Sequence, residues 1–366
     1  MKRIIKRLIV PMSIAFVLMG IMVGCTGNVT DKEQNNIDPL TNENTAGSEN
    51  SNQQVDTEES ENPNQQIDTV KNIIPHRYAD AEEGIELRMA NTEYFDNLTQ
   101  NDLDYRTGKS GATLEEFKAL AQKQGEDFTE EEKQVIEDSL ARIQARFDEI
   151  GFNYPLSAEI VFIKSKMEDE SGALAYTHKN QIYLEGSNLE FMKDKPGLLD
   201  GMIVHELFHV LSRNDPKFRQ DIYSVFGFTI ADEPDFTPEL RAILGSNPDV
   251  EKFDSYAMFN IDGKPTKAVV VTLLEKPYKD GQYLFDNLST GIVPYDNPDT
   301  YYTIDQVSNF WEVFGENSNY VITTEEGIAD NFTSAVVYGM EGRKYKNPEI
   351  IQSILDVLAN YEEKVQ

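Results

Sequence analysis

The segment Gly201-Met202-Ile203-Val204-His205-Glu206-Leu207-Phe208-His209-Val210-Leu211 decides how this chain is read. It holds two histidines four residues apart, with a glutamate directly after the first. On an α-helix, positions i and i+4 lie on one face about a turn apart, so two imidazoles can reach one ion. Glu206 is turned about 100° from His205 around the helix axis. It can therefore approach a water on that ion without being a ligand. Leu199, Met202, Ile203, Leu207, Phe208, Val210 and Leu211 leave the helix almost no polar face. A helix apolar nearly all round belongs inside a protein. Two histidines and a glutamate placed there lose hydration unless something binds them. A chance H-E-x-x-H in a chain with four histidines arises on the order of once in several hundred such sequences, which favours a metal site over an ordinary core helix.

Working outward, Pro196 to Arg213 reads as one helix with Pro in its first turn, and Pro216 to Phe226 as another. Upstream, Ala173 to Tyr176 and Gln181 to Leu184 read as a short hairpin around His178-Lys179-Asn180, and Ala158 to Ile163 as a strand. Leu114 to Gln124 and Phe128 to Ile150 read as helices. Thr129 with Glu132 makes a capping box for the second, and Val135, Leu140, Ile143 and Phe147 recur at helical spacing. Downstream, Lys267 to Leu274 reads as a strand. Thr323 to Met340 reads as a helix capped by Thr324, and Pro348 to Tyr361 as an amphipathic helix. Helices and a few strands in mixed order predict an α+β fold.

A zinc site here needs His and carboxylate ligands, because Cys25 is the single cysteine. Bound zinc would acidify a water and polarise a substrate carbonyl. Glu206 would take the water's proton and pass it to the leaving amine. Glu326, in Glu325-Glu326-Gly327-Ile328-Ala329-Asp330, is the best candidate for the third ligand. Asp330 follows it at i+4 and could accept the outer N–H of a ligating histidine. Acidic residues are also ordinary in a first helical turn.

H-E-x-x-H followed downstream by E-x-x-x-D resembles the pattern of gluzincins, the thermolysin-like zinc peptidases. The resemblance covers roughly residues 158–213 and 322–335. It implies His205, His209 and Glu326 as zinc ligands, Glu206 as general base, and Asp330 as the orienting carboxylate. It also implies a zincin-like fold, with a small mixed sheet, an active-site helix and a mainly helical C-terminal part. In such enzymes an edge strand before the active helix pairs with the substrate backbone, and Leu174-Ala175-Tyr176 occupies that place. Family members stabilise the oxyanion with His or Tyr. Here His178, Tyr302, Tyr320 and Tyr338 are candidates, as is Tyr301. The long gap between His209 and Glu326 implies an insertion lobe over about 230–320. The rival pattern is that of metzincins, with Asp215 as third ligand and Met258 beneath the site. Ser212 stands where that motif has Gly.

The amino terminus sets the compartment. Lys2, Arg3, Lys6 and Arg7 precede an apolar run from Leu8 to Gly24, which ends at Cys25. This resembles the export signal and lipobox of bacterial lipoproteins, and implies cleavage after residue 24 and acylation of Cys25. Residues 25–70 are polar, acidic and free of aromatics, too poor in apolar side chains to offset the entropy of ordering. They read as a disordered tether, with the peptidase domain over 71–366. A formal net charge of −31 argues against a nucleic-acid partner. The expected partners are a peptide or protein substrate and a membrane reached through the lipid, with the chain a monomer. The rival from another class is a surface lipoprotein that binds metal without turnover.

Overall fold

The computed structural model describes residues 74–155 and 159–362. The segments expected to be an export signal and a tether, with Cys25 between them, lie outside the described residues. Among the described residues no helix is long and apolar enough to cross a membrane. The architecture is α+β: two sheets and a set of helices around a shared core.

The first sheet is built on β3 (Ile160–Ser165). Its run Ile160-Val161-Phe162-Ile163 is buried throughout, as suits a strand covered on both faces. β1 (His76–Tyr78) runs parallel to it along one edge, and β2 (Gly125–Glu126) pairs antiparallel further along that same edge. On the other side β5 (Gln181–Glu185) is parallel to β3, and β4 (Ala175–His178) closes the sheet antiparallel to β5. The predicted hairpin is thus present, but its first strand lies two residues later than expected, from Ala175 to His178, with Lys179 in the left-handed region at φ 57. Leu174 precedes the strand.

The helix Glu130–Ile150 covers this sheet. Its Thr129–Glu132 capping box is formed at both contacts, and Gly151 at φ 85 ends it. It buries Ile136, Leu140, Ile143 and Phe147, one apolar stripe at helical spacing.

The region 230–320, expected to be an insertion lobe, carries most of a second sheet. β6 (Thr229–Ile230), β7 (Ser255–Ile261), β8 (Lys264–Leu273) and β9 (Ser289–Pro294) form an antiparallel sheet. Asp262-Gly263 joins β7 to β8, both at positive φ, the two-residue turn that matches strand twist. Alternation along β8 sends Ala268 and Val270 into the main core. Val269, Val271 and Leu273 go to a second cluster with Phe236, Leu240, Leu244 and Val293.

The active helix, Pro196–Asn214, and the glutamate helix, Thr324–Tyr338, lie against each other at the centre. Every residue from Thr324 to Val336 is buried. Gly327 permits a close approach, since a Cβ there would meet Val321 at 3.0 Å and Phe314 at 3.2 Å. The cap of the glutamate helix is Thr323, not Thr324: the Thr323 hydroxyl accepts from Glu326 N at 3.2 Å. Thr324 is helical, and its buried hydroxyl has no partner.

Candidate metal centre

His205 and His209 project from one face of the active helix, their ring centroids 4.9 Å apart. Both turn Nε2 toward the same oxygen of Glu326. His205 Nε2 lies 3.0 Å from Glu326 Oε2, and His209 Nε2 lies 3.8 Å from it. The ligating atoms of all three lie within 4.8 Å of one another. Donors around one tetrahedral zinc sit about 3.3 Å apart, given bond lengths near 2.0–2.1 Å. The two histidine–glutamate separations, 3.0 and 3.8 Å, bracket that value. His209 Nε2 is buried and has no hydrogen-bond partner. The donor set therefore fits a divalent ion.

The tautomer of His209 follows from its other nitrogen. Nδ1 donates to Glu325 Oε1 at 3.1 Å. Ser212 and Tyr223 also donate to Glu325 through their hydroxyls. Burial alone would raise the Glu325 pKa, but the His209 hydrogen bond and the charges of Arg219 and Arg213 hold it down to about 2. An ionised carboxylate only accepts, so Nδ1 carries a proton, and in the neutral ring this leaves the Nε2 lone pair for the centre. The orienting contact expected of Asp330 thus falls to Glu325. Asp330 accepts from Ser318 and leaves its buried Oδ2 without a partner. At His205, burial opposes a charged ring, but Glu326, Glu206 and Asp330 prevail and raise its pKa to about 9. The field at the centre favours positive charge.

Glu206 stands beside this cluster. Thr177 Oγ1, on β4, donates to Glu206 Oε2 at 2.8 Å. Burial pushes the Glu206 carboxyl above its usual range against the pull of both histidines. Asn247 donates to the second oxygen of Glu326. Asp249, also buried, accepts from Thr177 N at 2.6 Å. A cavity of about 180 Å³ opens onto Glu206, His205 and Glu326, several times the ~30 Å³ share of one water. Leu174, Met202, Leu284, Leu288 and Ile322 give it apolar walls.

Among the oxyanion candidates only Tyr320 lines this cavity, its ring 6.2 Å from that of His205. His178 faces a different cavity on the far end of β4, where burial lowers its pKa to about 3. Tyr302 is bridged to Ile292 in the second sheet, and Tyr301 packs on the second core cluster and donates to Glu275. Tyr338 ends the glutamate helix twelve residues past Glu326, roughly 18 Å along the axis at 1.5 Å per residue. The metzincin alternative does not match the geometry. Asp215 caps the helix Pro216–Val225 through Lys217 N and Phe218 N, and its other oxygen accepts from Tyr361. Met258 is 48% exposed on β7. Of Leu174, Ala175 and Tyr176, only Ala175 turns its N–H and C=O away from β5. His178 and Gln181 bracket a two-residue turn, so bonded and non-bonded pairs alternate from there.

No known family model matches the chain, and neither curated proteins nor solved structures give a significant match.

Replacing Glu325 with Ala frees the His209 ring and should weaken zinc binding about 10- to 100-fold, the usual effect of losing such a partner. Glu325→Gln, which still accepts from Nδ1, should weaken it less. Competition with a chromophoric chelator reads both, and equal affinities in all three proteins would remove Glu325 from this role.

Proposed function

We propose that the chain is a zinc-dependent peptidase of the gluzincin type. The observation that carries the reading is the convergence of two imidazole Nε2 atoms from one helix on a carboxylate oxygen from another, next to Glu206. His205, His209 and Glu326 would hold the ion. Bound zinc supplies a Lewis acid that polarises a carbonyl and makes a nearby water more acidic.

The chain's own residues do the rest. Thr177 fixes one oxygen of Glu206, which leaves the carboxylate oriented to take a proton from water. The water oxygen bonds to the carbonyl carbon, the C–N bond breaks, and the proton passes from Glu206 to the amine. A carboxyl pKa raised by burial suits a group that must first accept a proton and then release it. Tyr320 is the proposed donor to the oxyanion. Ala175 offers backbone groups to an extended peptide, the usual mode of strand addition. Export and acylation at Cys25 would place this chemistry on the outer membrane face. A Cys25→Ser variant should then leave the membrane fraction, and its retention there would contradict the anchor.

Glu206→Gln keeps the size of the side chain and removes the base. Hydrolysis of a fluorogenic peptide mixture should fall by about 10²- to 10⁴-fold, with zinc content unchanged by elemental analysis. A chelator should abolish wild-type hydrolysis and added zinc restore it. Wild-type protein that binds zinc and cleaves nothing would favour the non-catalytic reading.

A further inference from the structure

The segment Gly245–Glu251 lines the cavity through Ser246, Asn247, Pro248 and Asp249 and touches the site at three points. Asn247 donates to Glu326. Asp249 Oδ1 accepts from Thr177 N at 2.6 Å. Asp249 also brings a carboxylate oxygen within 4.8 Å of the ligating atoms of both Glu206 and His209. The segment is fastened from both sides. Asp102 accepts from Ser246 N at 3.0 Å and from its hydroxyl at 2.8 Å, and Arg106 donates to Ser246 O. Arg213, on the active helix, donates to Pro248 O at 3.3 Å and to Thr177 O at 3.2 Å.

β4 is an edge strand, so its outward N–H and C=O groups are open to another chain. Alternation leaves Ala175 and Thr177 facing out. At Thr177 both groups are already taken by Asp249 and Arg213. The oxygen on the Thr177 amide stands where the carbonyl of a paired peptide would stand. The same carboxylate reaches the Glu206–His209 pair. Peptide hydrolysis leaves a new carboxylate on the acyl fragment, and a fragment paired to β4 would present it in this way.

Resting on the peptidase reading, we propose that Asp249 occupies the place of the acyl-product carboxylate, and that Gly245–Glu251 is a built-in inhibitor of the site. Substrate enters when this segment withdraws from the edge of β4. Asp102, Arg106 and Arg213 set how readily it does so.

The test uses the zinc-loaded full chain and a peptide hydroxamate, which combines a metal-binding head with a backbone able to pair with β4. If the withdrawn state is at most roughly a tenth of the population, removing the carboxylate should tighten hydroxamate binding about tenfold or more. Asp249→Ala is expected to show that gain by calorimetry, with unchanged zinc content and faster peptide hydrolysis. Asp249→Asn keeps an acceptor for Thr177 N, so it guards against loss of folding, and it should show a smaller gain. Binding equal to or weaker than wild type in the folded variants, with zinc retained, overturns the inhibitor. The peptidase reading survives that result if wild-type hydrolysis still depends on Glu206. Failure of every form to bind zinc or hydroxamate removes both.

Discussion

Two buried helices meet at the centre of this fold, and the polar groups they carry can stay buried only if hydrogen-bond partners or an ion satisfy them. The active helix brings two imidazoles and a carboxylate, and the glutamate helix brings Glu325 and Glu326. Side chains of this kind are rarely fully buried without partners. Their apolar surroundings, from Leu199 to Leu211 and from Ile328 to Val336, fix the helices so closely that the polar set has little freedom to rearrange. The arrangement is held from outside as well. Thr177 on β4 holds Glu206 and Asn247 holds Glu326, while Glu325 of the glutamate helix itself holds His209.

The two sheets serve this centre in different ways. The first places β4 alongside the active helix, which brings Thr177 to Glu206 and puts Ala175 in the wall of the cavity. The second closes the opposite wall through Thr272 on β8, with Leu284, Phe285 and Leu288 from the following loop. The amino-terminal helices are joined to the same wall by a buried ion network. Glu170 pairs with both Arg88 and Arg106, and Arg106 reaches Ser246. Removing one member of such a network strands the others, which is typically far more damaging than the network is stabilising. The segment proposed to block the site is therefore tied to this buried ion network.

Local signals in the sequence were enough for much of this. The capping box at Thr129, the proline that opens the active helix and the four-residue spacing of its histidines each act within one or two turns, and each lies in the element read from it. Where a residue's role depends on distant partners, the sequence around it carries no local signal. Glu325 and Asp330 are both acidic neighbours of Glu326, and only the packing of Tyr223 and Ser212 makes Glu325 the partner of His209. Asp249 sits in a turn-rich run of Asn, Pro and Asp. Nothing local brings it to Thr177, which is 72 residues away. The Asp262-Gly263 turn was legible, being a dipeptide that favours positive φ at both positions. With its two flanking strands it would have exposed the second sheet.

The most direct test of the central idea is zinc K-edge X-ray absorption on the metal-loaded full chain, compared with a His209→Ala variant. The account predicts a shell of nitrogen and oxygen donors near 2.0–2.1 Å with two imidazole ligands in wild type and one in the variant. A zinc spectrum without imidazole scattering, or one unchanged by the loss of His209, would contradict it.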